Sequence, residues 1–197
     1  MRRVVELGAA TVEWGVFSLL IANNPDGAGA VDPAADGARG LRIAIAVRER
    51  HGNDAMGRFY FALGERYFER LDEYTELATF EGALADCGLD PALATEALAD
   101  ESTWATVVAE HTALVEQTKA FGVPTIRLDG GRGLAVFGPV VSEVPNDDDA
   151  VKLLEHVRWL AAYPNFAELK RERTVALDTA RTRKWAEERA ARKKAGG

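Results

Sequence analysis

The sequence predicts an α/β protein in which roughly 80 residues of successive helices are inserted between a strand and a β-hairpin. Three features carry that expectation. A β-branched and aromatic run near the start gives way to a loop dense in glycine and proline. Apolar residues then recur at steps of three and four. Beyond residue 124 the period drops to two on either side of a glycine-rich connection.

Residues 1–9 read as a helix tail or irregular lead-in closed by Gly8. A strand is expected over residues 12–21, where Val12, Trp14, Val16 and Phe17 lead into an apolar run. Asn23-Asn24-Pro25-Asp26-Gly27 stops it, and the stretch to Gly40 reads as loop. A helix over residues 41–50 ends near Gly52. A second follows, with Met56, Phe59, Tyr60, Leu63, Tyr67 and Leu71 on a wide apolar face. Thr75 is the expected cap of a third helix bearing Leu77, Phe80 and Leu84, with Gly88 as its αL terminator. Asp90-Pro91 opens a short helix to about residue 99, and Ser102 opens a longer one through Trp104, Val107, Val108, His111 and Val115. Strands at 125–128 and 134–137 flank Asp129-Gly130-Gly131-Arg132-Gly133 and make a β-hairpin. Asp147, Asp148 and Asp149 favour a helix start, with Val151, Leu154, Val157, Trp159 and Leu160 on its buried side. A charged helix is expected to fill much of residues 166–192.

Composition narrows the function. With 47% hydrophobic and 28% charged residues, the chain has an ordinary globular balance and not that of a disordered one. Its 31 Asp and Glu against 24 Lys and Arg give a net charge of −7, which opposes a nucleic-acid-binding role. Residues 168–197 reverse that sign, with ten Lys or Arg against five Asp or Glu. Only Trp185 interrupts the final stretch, so a solvated, partly frayed helix is expected there, not a polyanion-binding or membrane-binding face. The longest apolar stretch, residues 12–22, contains Glu13 and falls short of the roughly 20 residues a membrane span needs. Glu6 and Glu13 also interrupt any signal-peptide core, and a single cysteine fits a reducing compartment, so the expected location is cytoplasmic.

That cysteine, Cys87, excludes an internal disulfide and a Cys-x-x-Cys pair. His51, His111 and His156 lie on three helices without metal-ligand spacing, which points to capping or surface roles and to no metal site. The string Gly130-Gly131-Arg132-Gly133 joins two strands and opens no helix, so it does not suit a phosphate. Phe59, Tyr60, Tyr67 and Phe68 read as core before they read as the wall of a ligand cleft.

Several segments carry a family likeness. Gly122-Val123-Pro124-Thr125-Ile126, after a helix and before a hairpin, is similar to the cis-proline loop of the thioredoxin superfamily. Phe137-Gly138-Pro139-Val140-Val141-Ser142-Glu143-Val144-Pro145 and Tyr163-Pro164-Asn165-Phe166-Ala167-Glu168-Leu169-Lys170 resemble the DsbA-like family that includes the mycothiol-dependent nitroreductases of actinobacteria. Ser18-Leu19-Leu20-Ile21-Ala22-Asn23, Arg42-Ile43-Ala44-Ile45-Ala46 and Leu84-Ala85-Asp86-Cys87-Gly88-Leu89 extend the likeness over most of the chain. The resemblance implies a thioredoxin-like portion at residues 1–35 and 121–165, a helical insertion at 36–120 and a charged tail at 166–197. It implies a thiol-disulfide or mycothiol-linked reductase of small electrophiles or disulfides, with mycothiol or a similar thiol as co-substrate and no bound cofactor. It also implies a cis Val123–Pro124 peptide and a substrate-binding group of Val123, Pro124, Thr125 and Asn23.

The likeness is incomplete in one respect. The family's first β-strand and its Cys-Pro-x-Cys motif have no counterpart here, so no catalytic residue is assigned. In such proteins the reactive group is a thiolate whose pKa is lowered at a helix N-terminus, and Cys87 is expected to be a buried, inert thiol. The missing strand would lie between the second strand and the hairpin, leaving them about 10 Å apart. An N-terminally shortened chain is therefore expected. Two other outcomes fit the same residues: a redox-inactive scaffold that keeps the ligand cleft, and a relative of the kappa-class glutathione transferases and chromene-carboxylate isomerases.

Overall fold

The computed structural model describes residues 1–24, 26–131 and 134–195. Pro25 of the first turn and Arg132 and Gly133 of the hairpin connection lie outside the described residues. The described residues are mostly helical, with one two-stranded sheet, which makes the protein mixed α/β. The chain divides into two compact units. One comprises Trp14–His111 and Asp178–Gly197, the other Met1–Glu13 and Thr112–Leu177.

The first is a helical unit. It contains α2 (Leu19–Ala22), α3 (Asp36–His51), α4 (Asn53–Phe68), α5 (Leu77–Asp86), α6 (Leu93–Ala99), the first part of α7 (Glu101–Thr118) and α9 (Ala180–Ala195). Helices α3 to α6 form where apolar residues recur at helical spacing, and they close over Ile43, Ile45, Phe59, Phe80, Leu84 and Val107, all fully buried. Helix α3 starts at Asp36, inside the stretch read as loop. An acidic first turn suits the helix dipole, and the small residues misread as loop signals serve packing. A Cβ on Gly37 would meet Leu20 Cδ1 at 3.2 Å, and one on Gly40 would meet Leu63 Cδ2 at 3.4 Å. Gly52, at φ +84°, ends α3 as expected, and Gly88, at φ +76°, follows α5.

The expected strand at residues 12–21 does not form. Residues 11–18 are irregular and Leu19–Ala22 is a short helix capped by the Ser18 hydroxyl, which accepts from the Ile21 amide. A strand needs a ladder partner for its backbone. Here side chains serve instead: Asn53 Oδ1 accepts from the Trp14 amide at 2.6 Å, Arg48 donates to the Trp14 carbonyl, and His111 Nδ1 accepts from the Ser18 amide.

Two expected caps are displaced by one or two residues. Glu76, not Thr75, occupies the N-cap position of α5, and the Thr75 hydroxyl donates to the Glu76 carboxylate. Asp100, not Ser102, opens α7 by accepting from the Ser102 amide at 2.9 Å. Asp90 does accept from the Ala92 amide ahead of α6.

The second unit holds α1 (Arg2–Glu6), the remainder of α7, β1 (Thr125–Arg127), β2 (Ala135–Phe137) and α8 (Asp147–Ala162). The strands pair antiparallel, Thr125 opposite Phe137 and Arg127 opposite Ala135. Asn146 caps α8, its side chain accepting from the Asp149 amide, and Arg3 of α1 pairs with Asp147. The buried apolar cluster is small: Val4, Ala150 and Leu154, with Ala9 and Ala10 against it. Trp159, expected on the buried side of α8, is 64% exposed. The charged helix expected from residue 166 begins only at Ala180, and residues 165–179 carry no helix. Pro164 and the lack of an apolar face through Lys170-Arg171-Glu172-Arg173 leave that stretch without a helix's packing incentive. The Ser142 hydroxyl donates to the Val175 carbonyl within it.

Candidate functional site

Three of the four residues expected to bind substrate share one loop. Val123 and Pro124 are exposed, and Thr125 is half-buried at the start of β1. The Val123–Pro124 peptide is cis, as is Gly138–Pro139. The Thr125 hydroxyl donates to the Gly122 carbonyl at 2.7 Å, which folds the loop onto itself. Gly122 lies against the Phe137 ring, where a Cβ would come within 3.2 Å, and Phe121 packs on the same ring at 4.8 Å between centroids. The Gly138 amide donates to the Pro124 carbonyl, extending the hairpin's bonding by one step. The loop therefore presents an apolar, largely exposed edge on a self-bonded turn.

The fourth residue, Asn23, belongs to the other unit. It does not close a strand as expected; it is the exposed C-cap of α2, with its amide bonded to the Leu19 carbonyl.

His111 corrects a second expectation. It is neither a cap nor a surface residue but is buried at 5% exposure, with its ring 4.6 Å from that of Phe17. Its Nδ1 accepts from the Ser18 amide at 3.3 Å, so the neutral ring carries its proton on Nε2. Burial pushes its pKa down, favouring that neutral form. His51 and His156 are exposed, and among the described residues no three His, Cys, Asp or Glu side chains cluster to hold a metal ion.

Cys87 is half-buried at the C-terminus of α5. Its thiol donates to the Leu84 carbonyl at 3.2 Å, and burial raises its pKa, so it stays protonated. That is the reverse of what a nucleophilic thiolate requires.

The aromatic stripe divides. Phe59 is fully buried, whereas its neighbour Tyr60 is 59% exposed and pairs with Trp14 at 5.6 Å. Tyr67 stacks on Tyr74 at 4.1 Å, and burial drives the Tyr74 pKa up to about 12. The basic tail is also more than a solvated helix, because Arg181 is buried at 3% exposure. Its guanidinium lies 4.2 Å from the Tyr67 ring centroid and donates to the Tyr67 carbonyl, the Asp72 carbonyl and Glu73. Sequence reasoning missed it, since nothing local separates Arg181 from the other cations of the tail.

This mostly helical α/β chain matches, over residues 1–171, the Rv2466c-like family, described as mycothiol-dependent nitroreductase Rv2466c, and it belongs to that family. A similar protein is the one designated Uncharacterized protein Rv2286c in Mycobacterium tuberculosis (strain ATCC 25618 / H37Rv), 31% identical over 136 residues. The shared segment covers 69% of this chain and 57% of the relative, so the chain spans little more than half the relative's length. Among the described residues no helix is long and apolar enough to cross a membrane.

Proposed function

We propose that this chain is part of a DsbA-like, thioredoxin-fold reductase that uses mycothiol or a similar thiol to reduce a small electrophile or disulfide. In this reading Val123, Pro124 and Thr125 border the substrate, Asn23 contributes a polar contact, and the helices of residues 36–120 are the insertion. The observation that carries the proposal is the family match, which runs through the loop and the hairpin and on to residue 171. The loop's exposure and apolar character suit an extended substrate laid along it.

Reducing a disulfide consumes two thiols and returns one new disulfide. Cys87 cannot begin that exchange as a thiolate at neutral pH, because burial holds it protonated. In this reading the attacking sulfur is not that of Cys87.

The test assays mycothiol-dependent reduction of cystine and of nitrobenzoate by the 197-residue chain and by a form extended with the in-frame segment before Met1, and the absence of any such segment in the coding DNA also overturns the reading. Reduction by the extended form alone, weakened by Thr125→Ala, is the expected result. Equal reduction by both forms, or none by an extended form that carries a thiol pair, overturns it. The presence of a single cysteine, Cys87, fits one alternative, a redox-inactive binding protein, which predicts ligand retention without turnover in either form.

A further inference from the structure

Among the buried titratable groups, His111 has no part in the chemistry proposed above. It nevertheless sits at the start of a short bonded path. Its Nδ1 accepts from the amide of Ser18, a residue with no exposed surface. The Ser18 hydroxyl in turn accepts from the Ile21 amide and caps α2, and Asn23 closes that helix by bonding to the Leu19 carbonyl. Helix α2 is only four residues long, so it has few bonds of its own to hold it. Its position is set by the packing of Leu20 against Gly37 and the burial of Ile21, and at its start by what fixes Ser18.

We infer that His111 is a positioning residue for Asn23, holding the start of α2 through the Ser18 amide in its neutral form and releasing it when the ring is protonated. The inference rests on reading Asn23 as a substrate contact. Protonation places a hydrogen on Nδ1, which then cannot accept, and leaves the buried Ser18 amide facing a second donor.

The surroundings isolate this event from other titrations. The segment packed on the ring offers Phe17 and Ser18, neither of which ionises in the relevant range. On α7 the adjacent Glu110 is engaged by Arg48 of α3, which also donates to the Trp14 carbonyl. On α4, Asn53 is occupied by the Trp14 amide. The downward pKa shift of His111 traces to burial alone.

The experiment is amide hydrogen exchange on the 15N-labelled full chain, corrected for intrinsic rates and followed from about pH 8 to about pH 5 alongside titration of the His111 ring nitrogens. Protection of Ser18, Ile21 and Asn23 is expected to fall about tenfold as the ring protonates, the worth of roughly one hydrogen bond. His111→Asn places a non-titrating amide oxygen near the Nδ1 position and is expected to keep protection at every pH. His111→Leu is expected to lack it throughout.

Protection that stays flat while the ring titrates, or a pH dependence that survives in His111→Asn, overturns the inference. Should His111→Leu fail to fold, the wild type and His111→Asn still decide. None of these readouts needs turnover. Asn23→Ala in the extended form tests the substrate reading separately: an unchanged KM for cystine removes Asn23 from the site while leaving the exchange result intact.

Discussion

The helical unit and the hairpin unit answer the same sequence patterning with different results. In the former, α3 to α6 follow one another with short connections and enclose Phe59, Phe80 and Leu84 completely. In the latter, strands of three residues pair only with each other among the described residues, and Phe121, Leu134 and Val144 remain 73%, 69% and 84% exposed. Local periodicity suffices when neighbours in sequence are also partners in the core. A two-stranded hairpin hides little apolar surface by itself and is marginal in isolation. The candidate substrate loop thus stands on the less consolidated framework, as ligand-binding segments commonly do.

The sharpest way to break this contrast is to empty each core. Phe80→Ala should destabilise the helical unit by about 3–5 kcal/mol in denaturant unfolding, and Leu154→Ala in the hairpin unit should cost less, about 2–3 kcal/mol. Among the described residues Leu154 has only Val4, Ala150, Ala9 and Ala10 in its cluster. Equal costs would remove the distinction. Next in size is Arg181→Ala, which deletes three hydrogen bonds and the contact with Tyr67. A loss of about 2–3 kcal/mol is expected, moderated because the freed Glu73 is half-exposed and can be hydrated. Arg181→Lys should recover little of it, since an ammonium cannot reach several acceptors while lying flat on a ring. Asn146→Ala should cost about 1 kcal/mol by removing the α8 cap, and circular dichroism would show the helix shortened.

The smallest effect concerns pH. His111 has a folded pKa below its ordinary value of 6.5, so the unfolded chain binds more protons in the interval between the two. Its contribution to stability is full above the unfolded value and declines as the pH falls from there toward the folded one. His111→Asn should flatten that part of the profile. Asp86, held down first by its bond to Arg66, loses its contribution only in stronger acid, as the pH falls below 3.8 toward its depressed pKa. The two windows are therefore separable in one unfolding series.

Much of the helical block was legible from residues 41–118, because steps of three and four place apolar side chains on one face whatever surrounds them. The hairpin was legible from Asp129-Gly130-Gly131 and its flanking alternation, and Asp129, Gly130 and Gly131 do adopt positive φ. The loop of Val123, Pro124 and Thr125 was visible through family likeness, not through any local chemistry. Gly37 and Gly40 misled in the other direction. Their missing side chains admit Leu20 and Leu63, and packing of that kind leaves no periodic trace.

From the sequence alone came the properties that neighbouring residues settle among themselves: helix faces, turn positions, the charge reversal of the tail and the presence of a single thiol. Tertiary structure decided whether residues 12–21 would be a strand, because β propensity needs a partner ladder and the bonds went instead to Asn53, Arg48 and His111. It likewise decided which histidine and which arginine are buried. Burial of a polar group is favourable only where distant backbone and side-chain atoms meet its hydrogen bonds, and such atoms are brought together by folding, not by proximity along the chain.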